Sequence, residues 1–176
     1  MRSFLTKLRG IVTLGQDILR KRTAIGSTNR VELTSATRYT PKRVLVADDN
    51  RTSRNVLAAI LEAAGHIVVM VTDGDEALEE MKKGGIDILL IDVNMPDIDG
   101  YALAAQIRQV TPVAQMPIIM MGALSEQTSQ EQLDPLGIQG FLVKPIDPHE
   151  MLAMLNTLIC RTANVEARAA PTHQPN

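Results

Sequence analysis

From Arg43 onward the chain returns repeatedly to short, continuous apolar runs: Val44–Ala47, Ile67–Val71, Ile86–Ile91, Pro117–Met121 and Phe141–Val143. None alternates with polar residues, so each is expected to be a strand covered on both faces, as in a parallel sheet. Stretches with helical spacing separate them. Residues 51–64 place Val56, Leu57, Ile60, Leu61 and Ala64 on one face, and Gly65 supplies a stop. Residues 99–110 gather Leu103, Ala104 and Ile107. Asp147-Pro148-His149-Glu150 reads as a helix start: a capping Asp, Pro in the first turn, and Glu three residues after the cap. Met151, Leu152, Met154, Leu155, Leu158 and Ile159 follow it. Five strands alternating with five helices describe a doubly wound α/β domain over residues 42–160, with helices on both faces of the sheet.

Acids close or follow these runs. Asp48 and Asp49 follow Val44-Leu45-Val46-Ala47, Asp92 follows Ile88-Leu89-Leu90-Ile91, and Lys144 follows Phe141-Leu142-Val143. In a doubly wound sheet, ligands sit outside the carboxyl ends of the strands. Two unit charges about 5 Å apart repel by roughly 3 kcal/mol at an effective dielectric near 20. Three carboxylates gathered there would raise a pKa or recruit a hard cation, and Mg2+ prefers oxygen ligands.

The full set of motifs resembles the response-regulator receiver domain of bacterial two-component signalling. The resemblance rests on Val44-Leu45-Val46-Ala47-Asp48-Asp49-Asn50, on Leu89-Leu90-Ile91-Asp92-Val93-Asn94-Met95-Pro96-Asp97-Ile98-Asp99-Gly100, and on Phe141-Leu142-Val143-Lys144-Pro145. An Asp-Asp pair alone is a weak signal, since it also fits an Asx turn or a helix cap. The whole set, in this order, is specific. It implies a flavodoxin-like sheet of order 2-1-3-4-5. It implies Mg2+ bound directly by Asp49 and Asp92, by Asp48 through water, and by the backbone carbonyl of Asn94. Asp92 would then be the phosphoacceptor, taking its group from a phosphohistidine on a histidine kinase or histidine phosphotransfer protein, with Lys144 as a neutralising charge. Pro145 is expected to make a cis bond or tight turn. Residues 125–160 would present the surface for a downstream protein partner.

One position departs from the family. Receivers usually carry Thr or Ser at the end of the fourth strand, just before an Ala, whereas this chain has Gly122 before Ala123. The missing hydroxyl would weaken a phosphorylation-driven shift by roughly ten- to a hundredfold. The glycine is expected to leave an empty space into which Phe141 lies without waiting for phosphate. Alternatively, Ser125 supplies the hydroxyl through a shifted loop, or the switch tolerates Gly. Residues 125–137 hold only Leu133 and Leu136 to bury, so that helix is either a mobile, partner-facing element or a weak surface helix.

Composition narrows the remaining classes. The chain is 45% hydrophobic and 22% charged, as soluble globular proteins are, and has two Phe, two Tyr and no Trp to stack on bases. Specific nucleic-acid recognition is not expected. The lone Cys160 excludes an internal disulfide and suits a reducing cytoplasm. There is no glycine-rich phosphate loop, nucleophile elbow or catalytic Cys-His pair, so a metabolic enzyme is not expected. His66, His149 and His173 are read as structural or solvated.

The net charge of −2 divides into +8 over residues 1–43 and −10 over the rest. Residues 3–22 fit an amphipathic helix with Phe4, Leu8, Ile11, Val12, Ile18 and Leu19 on a broad face, weakened by Gly10 and Gly15. Four readings are open for this arm: self-association or docking on another protein, contact with an anionic membrane surface, an organelle transit peptide, or a solvated leader or module remnant. Residues 23–41 read as a Thr/Ser-rich linker and 161–176 as a flexible tail without an output domain. Two functions follow. One is a cytoplasmic phosphoacceptor receiver of a phosphorelay. The other is a constitutive protein-binding scaffold that keeps the receiver fold with a weakened switch.

Overall fold

The computed structural model describes residues 41–111, 116–126 and 129–169. The readings of the arm at 3–22, of the linker up to residue 40 and of His173 lie outside the described residues. Strands β1 (Arg43–Ala47), β2 (Ile67–Val71), β3 (Ile88–Asp92), β4 (Ile118–Gly122) and β5 (Gly140–Val143) form one parallel sheet in the order β2-β1-β3-β4-β5. Between and after them run α1 (Arg51–Ala63), α2 (Gly74–Lys83), α3 (Gly100–Val110), a single turn α4 (Gln130–Leu133), and α5 (Pro148–Ala169). This is the doubly wound fold expected from the five apolar runs.

Successive strand residues point to opposite faces, so each run feeds two cores. Val44, Val46, Ile88, Leu90, Ile119, Met121 and Leu142 pack with residues of α1 and α5, among them Leu57, Leu61, Met151 and Leu155. Leu45, Ala47, Leu89, Ile91, Ile118, Met120 and Phe141 pack on the other face with Ala77 of α2 and with Leu103, Ala104 and Ile107 of α3. Full burial of one such branched side chain contributes about 2 kcal/mol. The edge strand β2 departs from the expected two-sided cover: Ile67 is 56% and Met70 is 49% exposed. Among the described residues no strand pairs with its outer side, and this edge strand keeps part of its apolar surface in water.

Side-chain caps set the helix starts. Asn50 accepts hydrogen bonds from the N–H groups of Thr52 and Ser53, Asp99 from that of Ala102, and Asp147 from that of His149. At α2, Asp73 accepts from the N–H of Glu76, while the Glu76 carboxylate accepts from the N–H of Thr72. Each such cap is worth about 1 kcal/mol. The expected helix over 125–137 is instead broken into 3-10 turns at Leu124–Glu126 and Asp134–Leu136 around α4. Leu133 is buried and Leu136 packs beside it, too little apolar surface to hold a continuous helix. Pro135 has no N–H to continue a ladder, and Gly137 turns the chain away at φ 68°. The last helix runs past the expected domain end at 160 to Ala169. Residues 161–169 contain no Gly or Pro to break it.

His66 is buried just before β2, where its Nδ1 accepts a hydrogen bond from the N–H of Lys42 at 3.3 Å. Burial lowers the imidazole below its ordinary 6.5, against the opposing charge of Asp87. As pH falls the unfolded chain therefore takes up this proton first. The contribution is fully present above the ordinary value and is lost as pH falls toward the lower folded value. The urea midpoint should drop as pH falls through and below the ordinary imidazole value of about 6.5, and His66→Asn should flatten that drop.

Candidate functional site

Strand register brings the acidic positions level. Ala47 pairs with Ile91, so Asp48 stands beside Asp92; Asp92 pairs with Met121, and Gly122 pairs with Val143, one residue before Lys144. Strand alternation then sorts the side chains. Asp48, Asp92 and Lys144 continue the set that faces α1 and α5. Val93, Gly122 and Phe141 belong to the opposite face.

Asp48 and Asp92 are buried, and Asp49 is exposed. One carboxylate oxygen from each lies within 4.8 Å of the others. Lys144 Nζ donates to Asp48 Oδ2 at 2.9 Å and to Asp92 Oδ2. The Lys144–Pro145 peptide bond is cis. Asp48 is fully engaged: its Oδ1 accepts from the N–H of Asn50 at 2.8 Å, and its Oδ2 also accepts from Ser53 Oγ at 2.7 Å. The Arg54 guanidinium donates to the Asp48 carbonyl at 2.6 Å. Asp92 Oδ1 accepts from the N–H of Asn94 at 3.3 Å. Among the described residues, none donates a hydrogen bond to the Asp49 carboxylate. Ser53 and Arg54 were missed from sequence; their places on the first turn of α1, directly above Asp48, were the available signal.

Burial raises the Asp92 carboxyl above its ordinary value; Lys144 opposes this and the Asp48 charge adds to it. Burial pulls Lys144 down, but its hydrogen bonds to Asp92 and Asp48 and their charges outweigh it, and the ammonium is held above its ordinary value. Lys144 therefore stays charged between two buried carboxylates.

The space at Gly122 is filled rather than empty. A Cβ there would meet Glu126 Oε2 at 2.6 Å, Val93 Cγ2 at 3.0 Å and Phe141 Cζ at 3.1 Å. Phe141 lies inward, 8% exposed. The Glu126 carboxylate reaches the end of β4 in place of the expected void. Its Oε2 accepts from the N–H of Ala123 at 2.6 Å, and its Oε1 from Asn94 Nδ2 at 2.6 Å. The carboxyl is held below the usual range, first by the Ala123 N–H and then by the Asn94 amide, with the Lys144 charge acting in the same direction. Ser125, weighed as an alternative hydroxyl, is exposed in the same turn. Sequence reasoning placed Glu126 on a weak helix and gave no signal of this contact.

Gly100 allows the loop after Asp92 to fold back. A Cβ there would press on the carbonyl of Asp92 and lie 2.6 Å from Met120 Cε, and its N–H donates to the Val93 carbonyl at 2.9 Å.

Replacing Lys144 with Ala should lower stability by about 2–3 kcal/mol at neutral pH, because two buried carboxylates would then face each other uncompensated. Urea denaturation measures this. No loss would show that the ammonium is not their neutralising charge.

The family model described as "Response regulator receiver domain" matches residues 44–156. A relative from Guillardia theta, named "Probable transcriptional regulator ycf27", is 34% identical over 123 residues, covering 70% of this chain and 47% of that protein. The chain spans about half the length of such ycf27 relatives. Among solved structures, the chemotaxis response regulator CheY4 of Vibrio cholerae is 32% identical with a TM-score of 0.61, covering 68% of this chain and 99% of that one. The receiver domain of the Francisella response regulator 1452 is 28% identical with a TM-score of 0.61, covering 69% and 98%.

Proposed function

We propose a phosphoacceptor function from this premise: the chain belongs to the response-regulator receiver family. Asp92 accepts the phosphoryl group. The observation that carries this reading is one buried carboxylate, level with two more acids and held by a charged lysine, at the strand edge where a ligand has access.

The donor is a phosphohistidine on a histidine kinase or histidine phosphotransfer protein. An Asp92 oxygen forms a bond to phosphorus, and the bond from phosphorus to the imidazole nitrogen breaks, returning its electron pair to the ring. Such transfer needs positioning and charge neutralisation more than covalent machinery. Lys144 keeps its proton and is placed to turn from Asp92 toward the transferred group.

The donor set fits Mg2+. It is all oxygen, three carboxylates converge, and Asp49 is open to solvent with no hydrogen-bond donor of its own among the described residues. Asp49 and Asp92 would hold the ion directly and Asp48, already fully engaged, through water; the Asn94 carbonyl would add a ligand. When bound, the ion neutralises the carboxylates and the oxygens of the incoming group.

Signalling passes to a downstream protein through the surface of residues 125–160. The protein acts in the cytoplasm as a signal acceptor rather than as a metabolic enzyme. Among the described residues, no helix is long and apolar enough to cross a membrane. The arm at 3–22 adds self-association or contact with a membrane surface, and no specific nucleic acid is bound.

A second reading, a constitutive scaffold on the same fold, draws support from Gly122 and from the inward Phe141. Incubation with acetyl phosphate and Mg2+, followed by intact-mass measurement, separates the two. A phosphate adduct lost in Asp92→Asn is expected; an unmodified wild-type chain would favour the scaffold. Asp49→Asn should weaken Mg2+ binding at least roughly tenfold while moving the unfolding midpoint little, since this carboxylate is exposed. Calorimetric titration and thermal melts check both halves of that statement.

A further inference from the structure

The Glu126 carboxylate is doubly anchored at the end of β4, on the backbone N–H of Ala123 and on the side-chain amide of Asn94. Asn94 links it to the acceptor, because the Asn94 N–H donates to Asp92 Oδ1 while its side chain holds Glu126. The turn that carries Glu126 is itself tied down. Its N–H donates to the Ala123 carbonyl at 2.9 Å, and its carbonyl accepts from the Tyr101 hydroxyl at 3.2 Å.

Residue 122 decides whether the carboxylate can be there. A Cβ at that position would stand 2.6 Å from Glu126 Oε2, closer than real contacts allow. Glycine and glutamate thus occupy one space between them, and any side chain at 122 would push the carboxylate away.

We propose that Glu126 is a resident anion that occupies the Ala123 N–H beside the acceptor, so that an incoming phosphoryl group must displace it. This deepens the phosphoacceptor reading of Asp92 and rests on it. A phosphoryl group on Asp92 brings three anionic oxygens that need donors. Among the described residues, donors at this edge include Lys144 Nζ, the N–H of Asn94 and the N–H of Ala123, and Glu126 already holds the last. The carboxylate also presents a like charge to an anionic donor, within the field of Lys144, which would otherwise attract it. Its displacement releases the Asn94 amide and slackens the turn at Leu124–Glu126, which the Tyr101 hydroxyl senses through the Glu126 carbonyl. Loading of Asp92 is thereby coupled to that turn without a hydroxyl at residue 122.

The test compares wild type, Glu126→Gln, Glu126→Ala and Asp92→Asn as full chains with acetyl phosphate and Mg2+. Labelling is followed by intact mass, and folding is checked by thermal melts. Glu126→Ala should label roughly three- to tenfold faster than wild type, with Glu126→Gln between them. The Ala123 amide proton should move upfield in Glu126→Ala before any phosphate is added, as its charge-assisted hydrogen bond is lost. Gly122→Ala should also speed labelling, and the double variant Gly122→Ala/Glu126→Ala should be no faster than Glu126→Ala alone. Equal rates in wild type and Glu126→Ala, an unmoved Ala123 amide, or additive effects in the double variant would each overturn the proposal while leaving Asp92 as acceptor. No Asp92-dependent label in any variant would remove the phosphoacceptor reading, and this inference with it.

Discussion

A lysine ammonium held between two buried carboxylates is the interaction on which the rest of this molecule turns. Asp48 and Asp92 stand at the ends of adjacent strands whose preceding residues are enclosed by apolar side chains on both faces. Polar groups in such a sheet have one place to go, the strand ends, and parallel pairing puts all the carboxyl ends on the same edge. The same regularity that buries Leu45, Leu90 and Ile119 therefore concentrates negative charge at one lip. Lys144, one residue past β5, is the positive group that makes this arrangement tolerable when no cation is bound.

The edge is divided between two jobs by the alternation of strand side chains. Asp48, Asp92 and Lys144 share one parity and form the acidic centre. Gly122, Val93 and Phe141 share the other, and there the space vacated by a missing side chain is taken up by Glu126 and by the Phe141 ring. The two sets meet at Asn94, whose backbone serves Asp92 and whose side chain serves Glu126. A carboxylate placed there gives the second set a charge of its own, joined to the centre through the two hydrogen bonds of Asn94.

Much of the fold was legible because its signals are local. Continuous apolar runs named the strands, and Asp147, Gly65 and the spacing at 51–64 and 99–110 marked helix ends and faces. The reciprocal cap of Thr72, Asp73 and Glu76 was equally local, yet the helix at 74–83 received no residue-level reading. What escaped was decided by neighbours distant in sequence. The exposure of Ile67 and Met70 depends on β2 being an edge. Arg108 is another case. Burial lowers its guanidinium to about 10, and it donates to the carbonyls of Gly137 and Met116, contacts no helical periodicity would reveal.

By itself the amino-acid order determined that five strand segments would carry Asp48, Asp92 and Lys144 at their ends, because burial on two faces demands unbroken apolar runs and their ends must then be polar. Only the tertiary structure decided what fills the place beside Gly122. That outcome depends on how a short turn, too poor in apolar residues to form a full helix, folds back over the sheet. Glu126 reaches Ala123 and Asn94 through hydrogen bonds whose partners no sequence period brings together, so three-dimensional closure alone could supply them.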